Sequence, residues 1–359
     1  MRKIEFKTSV ALALSDLNVT PKKLHELVGR EKPVGQHHMR YTPADLRTAR
    51  YRAAGVPPDQ ELQLLPPHSD QPFPPLIVTR MTKGGVGKTS TSINLAAVLA
   101  MMGYRILFID ADPQASATNL LGVDGNLQDD LLHIGHFLTK KPSGEDTELA
   151  SAIIPIYADG GLDLIPADIT MSQTDANMVT IMASHQRALQ FLTRNGLFLS
   201  RRYDAIIVDT APGTTPMGLA FAFAAKVSGK ILTVVEPEGT CLRALESLAS
   251  NLAEIKEVTG AQIGMEVVIN KYHVSLKHIR ENMGVLYSKY GEYLNDTIIP
   301  QFTGFAKQMD PNNKVTMPLV ESDPSSVGSA AIISLAKSII LSFGIHHPGL
   351  RNVAQEKTA

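Results

Sequence analysis

Short runs of consecutive apolar residues alternate along the chain with segments whose apolar residues recur every three or four positions. The runs are Leu76-Ile-Val-Thr, Arg105-Ile-Leu-Phe-Ile-Asp, Ala205-Ile-Ile-Val-Asp, Ile231-Leu-Thr-Val-Val and Glu266-Val-Val-Ile-Asn, with Leu162-Asp-Leu-Ile-Pro as a weaker one. Each reads as a strand. Thr89 to Met102 places Ile93, Ala96, Ala97 and Ala100 at helical spacing and is followed by Gly103, a stop signal. Further helices are predicted over Met171–Arg194 as one long element, after Thr214, over about Thr240–Val258 and near Leu276–Tyr290. A last one runs from a cap at Ser325 or Ser326 to about Phe343. Strands that are apolar throughout, separated by helices, belong to a parallel sheet covered on both faces. The predicted class is therefore α/β, a mostly parallel twisted sheet with helices on both faces. Functional groups in such a sheet gather at the carboxyl ends of the strands. Lys83, Asp110, Asp209 and Asn270 all follow strand-like runs.

Seven prolines, at 57, 58, 66, 67, 72, 74 and 75, interrupt this pattern. Each fixes its own φ and restricts the residue before it, so 57–75 is predicted to be an extended linker. It separates a small helical module, 1–56, from a large domain over 76–345, and 346–359 forms a tail. The chain has 359 residues, 44% hydrophobic and 19% charged, a globular rather than disordered composition. The formal net charge of −1 means that nucleic-acid contact would have to come from local patches. The single cysteine, Cys241, allows no internal disulfide, suits a reducing cytosol and reads as packed rather than reactive. No run of about 18 apolar residues occurs and the amino-terminal apolar stretch is broken by Ser9, so neither a membrane span nor a secretory signal is expected.

The densest chemical signal is Lys83-Gly84-Gly85-Val86-Gly87-Lys88-Thr89-Ser90, set between a strand and a helix. Small residues let backbone N–H groups turn inward around phosphate oxygens, and the following helix adds its positive end. Lys88 would reach the β- and γ-phosphates and Thr89 would offer its hydroxyl to Mg²⁺. The usual pattern has a glycine where Thr82 stands, and Lys83 is an additional cation. Asp209, after four apolar residues, would hold Mg²⁺ through water. Asn270 could donate and accept at an adenine edge, with Pro237 and Glu238 lining the base pocket.

These residues carry a resemblance. The loop resembles the deviant Walker A motif of the ParA/MinD group of P-loop ATPases. Phe108-Ile-Asp-Ala-Asp-Pro-Gln is similar to the second motif of its partition branch, and Tyr203-Asp-Ala-Ile-Ile-Val-Asp-Thr-Ala-Pro-Gly to its Walker B segment. The resemblance spans about 76–343. It implies a weak, Mg²⁺-dependent ATPase in the cytoplasm, associated with the nucleoid. In such a protein Asp112 orients the attacking water, Asp110 supports the Mg²⁺ shell, and Lys83 reaches the partner's phosphates across an ATP-dependent homodimer. It further implies nonspecific DNA binding by that dimer and a centromere-binding partition protein that stimulates hydrolysis. Arg243, Lys277, Lys307, Lys337 and Arg351 are candidates for the DNA contacts.

Residues 1–75 hold 11 Lys/Arg and 8 Asp/Glu. Thr20-Pro21 and Thr42-Pro43 each read as a helix cap followed by proline in the first turn. Two short capped helices with exposed basic residues suit a helix-turn-helix or winged-helix module. The resemblance to longer partition ATPases implies operator binding there, and a dimerisation or packing module is the other reading. The competing whole-chain functions are a positioning ATPase for a protein cargo or division site, a metabolic P-loop enzyme and an ATP-sensing repressor. The end, His346-His-Pro-Gly, lacks the basic amphipathic helix of a membrane-recruited form, and one cysteine cannot hold an iron–sulfur cluster.

Overall fold

Every residue of the strands Leu76–Thr79, Ile106–Ala111 and Ala205–Thr210 is buried, as the middle of a sheet covered on both faces requires. The computed structural model describes residues 1–30, 38–56, 71–124, 131–140, 148–260, 262–273, 276–308 and 316–345. In chain order the amino-terminal elements are β1 (Phe6–Lys7), α1 (Thr8–Ser15), α2 (Pro21–Val28), β2 (Arg40–Tyr41) and α3 (Pro43–Ala53). Next come β3 (Leu76–Thr79), α4 (Lys88–Met101), β4 (Ile106–Ala111), α5 (Ser116–Leu120), α6 (Ile134–Thr139), α7 (Leu149–Ala152), β5 (Ile154–Pro155) and β6 (Leu162–Ile165). They are followed by α8 (Met171–Met178), α9 (Arg187–Arg194), α10 (Gly196–Arg202), β7 (Ala205–Thr210), α11 (Pro216–Ser228), β8 (Gly229–Val235) and α12 (Gly239–Thr259). The last elements are β9 (Gly264–Tyr272), α13 (Lys277–Tyr290), β10 (Leu294–Pro300), α14 (Thr303–Gln308), α15 (Leu319–Ser322) and α16 (Val327–Ser342).

The main sheet runs β10-β9-β8-β3-β7-β4-β6-β5 and is parallel except for the antiparallel edge strand β5. β3, which feeds the phosphate loop, lies centrally between β8 and β7. Its alternate residues face different cores: Ile77 joins the one with α4 and α16, and Leu76 and Val78 join the one with α9 and α11. Residues Thr91 to Met101 of α4 are all buried, so this helix has no polar face to show.

Three expectations change. Met171–Arg194 is two helices, α8 and α9, separated by a turn in which Ala183 is left-handed (φ 55°). Val179 and Met182 in that turn are exposed, so no burial rewards continuing the helix there. β5 and β10 add two strands that the pattern did not announce, because β5 is only two residues long and β10, Leu-Asn-Asp-Thr-Ile-Ile-Pro, is polar over its first half. The third concerns the proline-rich stretch. Its part 57–70 lies outside the described residues, as does the tail 346–359. Phe73, Pro74 and Pro75, however, are buried rather than spanning solvent. Gly196 sits so close to this segment that a Cβ there would stand 1.8 Å from the Pro72 carbonyl oxygen.

The amino-terminal elements fold as capped helices around a two-stranded ribbon, with Thr20 and Thr42 capping as expected and Asp45 completing a capping box. Their apolar side chains do not form a core of their own. Phe6, Leu14, Leu24, Leu46 and Ala49 belong to the cluster that contains α4 and α16. Nor are the basic residues of α3 exposed as expected. Arg47 Nε donates to the Gly103 carbonyl (2.8 Å), Arg50 to the Tyr104 hydroxyl (3.1 Å), and Arg52 to the carbonyls of Leu27 and Val28. Arg47 and Arg50 satisfy groups across the seam and Arg52 ties α3 to α2, so the helix that would enter a DNA groove is turned inward. α2 keeps Lys22 and Lys23 at the surface.

Candidate nucleotide site

The loop between β3 and α4 has the backbone that its glycines allow. Gly85 and Gly87 have φ of +78° and +90°, a region costly for any residue with a Cβ. At Gly87 a Cβ would also meet Asn270 Nδ2 at 2.3 Å, so the position is closed twice over. The loop is held from β9 by its carbonyls. Asn270 Nδ2 donates to Val86 O (2.8 Å) and Lys271 Nζ to Gly85 O (2.7 Å), while Glu236 anchors the same ammonium at 2.5 Å. Asn270 therefore spends one N–H on the loop.

Lys88 is buried at the start of α4, where the first-turn N–H groups have no intrahelical partners. Asp209 at the end of β7 is fully buried. Its Oδ1 accepts from the Thr79 hydroxyl (3.0 Å), and Oδ2 has no hydrogen-bond partner. Burial raises its pKa, opposed by the charge of Lys88 and the hydroxyls of Thr89 and Thr79. A buried carboxylate oxygen left without a partner, beside a threonine hydroxyl and a lysine, fits a divalent cation. Thr89 and Asp209 are thus the residues that would hold Mg²⁺.

Asp110, at the end of β4, is committed differently. Its oxygens accept from the Asp112 N–H (3.1 Å), the Thr118 N–H (2.9 Å) and the Thr118 hydroxyl (2.8 Å). Burial, with the Asp209 charge, pushes its pKa up to about 7. Asp110 thus positions Asp112 and the loop to Thr118, and can support a metal shell only from behind. Asp112 accepts from the Gln114 N–H (2.9 Å), which fixes its direction at the turn.

Lys83 lies near the loop, but its ammonium is spent elsewhere. It reaches the Thr240 hydroxyl (2.9 Å), Cys241 Sγ (3.3 Å) and Glu238 Oε2 (3.4 Å) at the start of α12. Burial acts to lower its pKa, but Cys241 and Glu238 outweigh it and the net shift is upward. Glu238 is therefore a partner of Lys83, and Pro237 gives its carbonyl to Asn282 (3.0 Å). Neither is among the residues that bound the cavity beside the loop. That cavity, about 550 Å³, is bounded by the loop and Asn270 on one side and by Pro300, Phe302, Phe305 and Ala306 on the other. This second wall was missed along with β10, and the run Thr297-Ile-Ile-Pro was the signal for it.

Among the candidate DNA contacts, Arg243, Lys277 and Lys307 are exposed on α12, α13 and α14. Lys277 approaches Glu281 at 3.6 Å, and Lys337 pairs with Asp16 of the amino-terminal elements at 2.8 Å. Arg351 lies outside the described residues. Among the described residues no helix is long and apolar enough to cross a membrane, and no His/Cys/Asp/Glu group forms a metal site of its own.

A family model described as an AAA domain, AAA_31, matches residues 75–265. The sporulation initiation inhibitor protein Soj of Bacillus subtilis is 27% identical over 74% of this chain and 97% of its own length. The cell division protein PomZ of Myxococcus xanthus is 28% identical over 72% of this chain and 75% of its own. An uncharacterized protein of Pseudomonas putida is 30% identical over 72% and 91%. Among solved structures, an ATP complex of Cyanothece McdA superposes with a TM-score of 0.60 at 17% identity, covering 74% of this chain and 96% of McdA. The cell division ATPase MinD of Pyrococcus furiosus does so with 0.55 at 19%, covering 75% and all of MinD.

Proposed function

Because this chain belongs to the AAA-domain family AAA_31 and is a P-loop ATPase of the ParA/MinD group, we propose that it is a DNA-partition switch driven by ATP binding and hydrolysis. One arrangement carries the reading. A glycine loop is pinned from behind by Asn270 and Lys271, Lys88 is buried at its end, and the buried Asp209 carboxylate lies beside Thr89. The loop amides and Lys88 take the phosphates. Bound Mg²⁺ supplies the remaining charge neutralisation on the transferred phosphoryl group. Asp112, its backbone N–H held by Asp110 and its carboxylate by the Gln114 N–H, orients the attacking water.

Lys83 acts in trans in this reading. In the single chain all its donors are occupied by Glu238, Thr240 and Cys241. Reaching a second copy's phosphates requires breaking those contacts, so the ATP-bound dimer forms against a local restraint and hydrolysis lets the restraint re-form. The dimer binds DNA backbone through exposed cations on α12–α14, and a centromere-binding partner stimulates turnover. Any operator contact by residues 1–56 falls to α2, with Lys22 and Lys23, rather than to α3.

Binding of the full chain to random-sequence duplex DNA, with ATP, with ADP and without nucleotide across a salt series, tests this reading. ATP-selective binding that weakens steeply with salt is expected. Turnover without DNA binding in any state would replace DNA with a protein cargo, and DNA binding without turnover would leave an ATP-sensing repressor.

A further inference from the structure

Gln308, the last residue of α14, is buried and makes three hydrogen bonds that join separate parts of the chain. Its Nε2 donates to the Ser90 hydroxyl at 2.5 Å. Its Oε1 accepts from Asn94 Nδ2 (3.1 Å) and from the Leu319 N–H (2.8 Å). Asn94 donates also to the Ser90 carbonyl (2.7 Å) and accepts from the Val320 N–H (3.1 Å). Ser90 and Asn94 belong to the first two turns of α4, directly after the phosphate loop. Leu319 and Val320 open α15. The network is satisfied throughout, and such buried networks fix one arrangement because every broken link strands a polar group.

What it fixes is α14. This short helix and the residues before it form the far wall of the cavity beside the phosphate loop. A second cavity of about 360 Å³ lies on its other side, against Met317 and Leu319. A helix of six residues has no intrinsic stability to speak of, so its place is set by what it packs against and bonds to. Phe302 and Phe305 pack edge to face at 6.2 Å and supply one anchor. The hydrogen bonds of Gln308 are the other, and they tie α14 to the start of the phosphate-loop helix.

We propose that Gln308 is a positioning residue for the nucleotide: through Ser90 and Asn94 it rivets α14, the nucleoside-side wall, to the helix that carries the phosphate site. The inference rests on the ATPase reading of the same cavity and names what aligns its two halves. The phosphate end is built by loop N–H groups and Lys88 and is pinned from β9 by Asn270 and Lys271, so α14 touches it only through the Ser90 hydroxyl. The nucleoside end is built by Phe302, Phe305 and Ala306, which depend on α14.

The test separates the two ends with two ligands. ATP and inorganic tripolyphosphate are titrated, each with Mg²⁺, into the full-length wild type and the Gln308→Ala variant by calorimetry. The variant is expected to lose about tenfold in ATP affinity, the loss of one buried hydrogen-bond set, while tripolyphosphate affinity stays within about twofold. Equal losses for both ligands would show that Gln308 only supports the loop or the fold, and no loss for either would show that α14 needs no rivet; both overturn the proposal. Gln308→Leu, similar in volume and unable to bond Ser90, is expected to give the same ratio and serves if the alanine variant does not fold. A wild type that binds neither ligand sinks the ATPase reading itself, a distinct outcome.

Discussion

Replacing Leu46 by alanine asks whether the amino-terminal elements are an attached module or part of the ATPase body. Leu46 lies on α3, is fully buried, and sits in one cluster with Leu14 and Leu24 on its own side and with α4 and α16 on the other. Truncating a leucine in such a place removes its transfer free energy and leaves a cavity, together about 2–5 kcal/mol. The α3 arginines that cross the seam to Gly103 and Tyr104 limit how far the site can collapse, which favours the upper half of that range. With an unfolding entropy of about 2.1 cal/mol/K per residue over 359 residues, each kcal/mol moves the midpoint by about 1.3 °C, so it should fall by roughly 5–7 °C. Far-ultraviolet circular dichroism with and without ADP and Mg²⁺ reads the outcome. Because the core is shared, one transition should move as a whole, and the nucleotide-stabilised transition should move with it. A small early transition, with the nucleotide-sensitive one unchanged, would refute the shared core and restore an independent module over residues 1–56.

Two other predictions concern the site. Lys83→Ala should leave the affinity of a single chain for ATP within a few-fold of wild type, because Lys83 is spent on Glu238, Thr240 and Cys241, and should reduce ATP-dependent dimerisation or turnover at least tenfold; light scattering and phosphate release measure these, and wild-type values for both would remove the in-trans role. The metal-free, nucleotide-free protein should lose stability as pH rises through neutrality. With its pKa raised to about 7, Asp110 keeps in the folded state a proton that the unfolded chain has already released. Stability then falls as pH rises wherever the folded state binds more protons, by about 0.7 kcal/mol between pH 6.5 and 7.5 for half a proton. Urea unfolding at those two pH values checks it, and a flat or rising profile contradicts the assignment.

The chemistry of the phosphate end was legible in the sequence because it is local. A glycine loop between a strand and a helix presents its N–H groups wherever the chain goes next, and Lys88 and Thr89 follow it by covalent connection. Asp110 and Asp209 could be placed for a related reason: strands that are apolar throughout must lie inside the sheet, and parallel neighbours put their carboxyl ends on one edge. Periodicity also located the capped helices at Thr20 and Thr42, since a cap satisfies orphan N–H groups within its own turn.

What only the tertiary structure decided was the use made of groups whose partners are distant in the chain. Lys83 reads as a free cation until α12 brings Glu238, Thr240 and Cys241 against it. The arginines of α3 read as a DNA-facing set, yet the backbone carbonyls and Tyr104 at the seam claim them. Helical spacing over Met171–Arg194 was overruled where Val179 and Met182 found nothing to bury against. The wall facing the loop across the cavity comes from Pro300 to Ala306, because β10 adds to the sheet edge beyond β9 and carries α14 back over the loop. Spacing along the chain constrains hydrogen bonds within a few residues. It does not constrain Gln308 and Ser90, 218 positions apart, which meet only because the whole sheet lies between them and is folded.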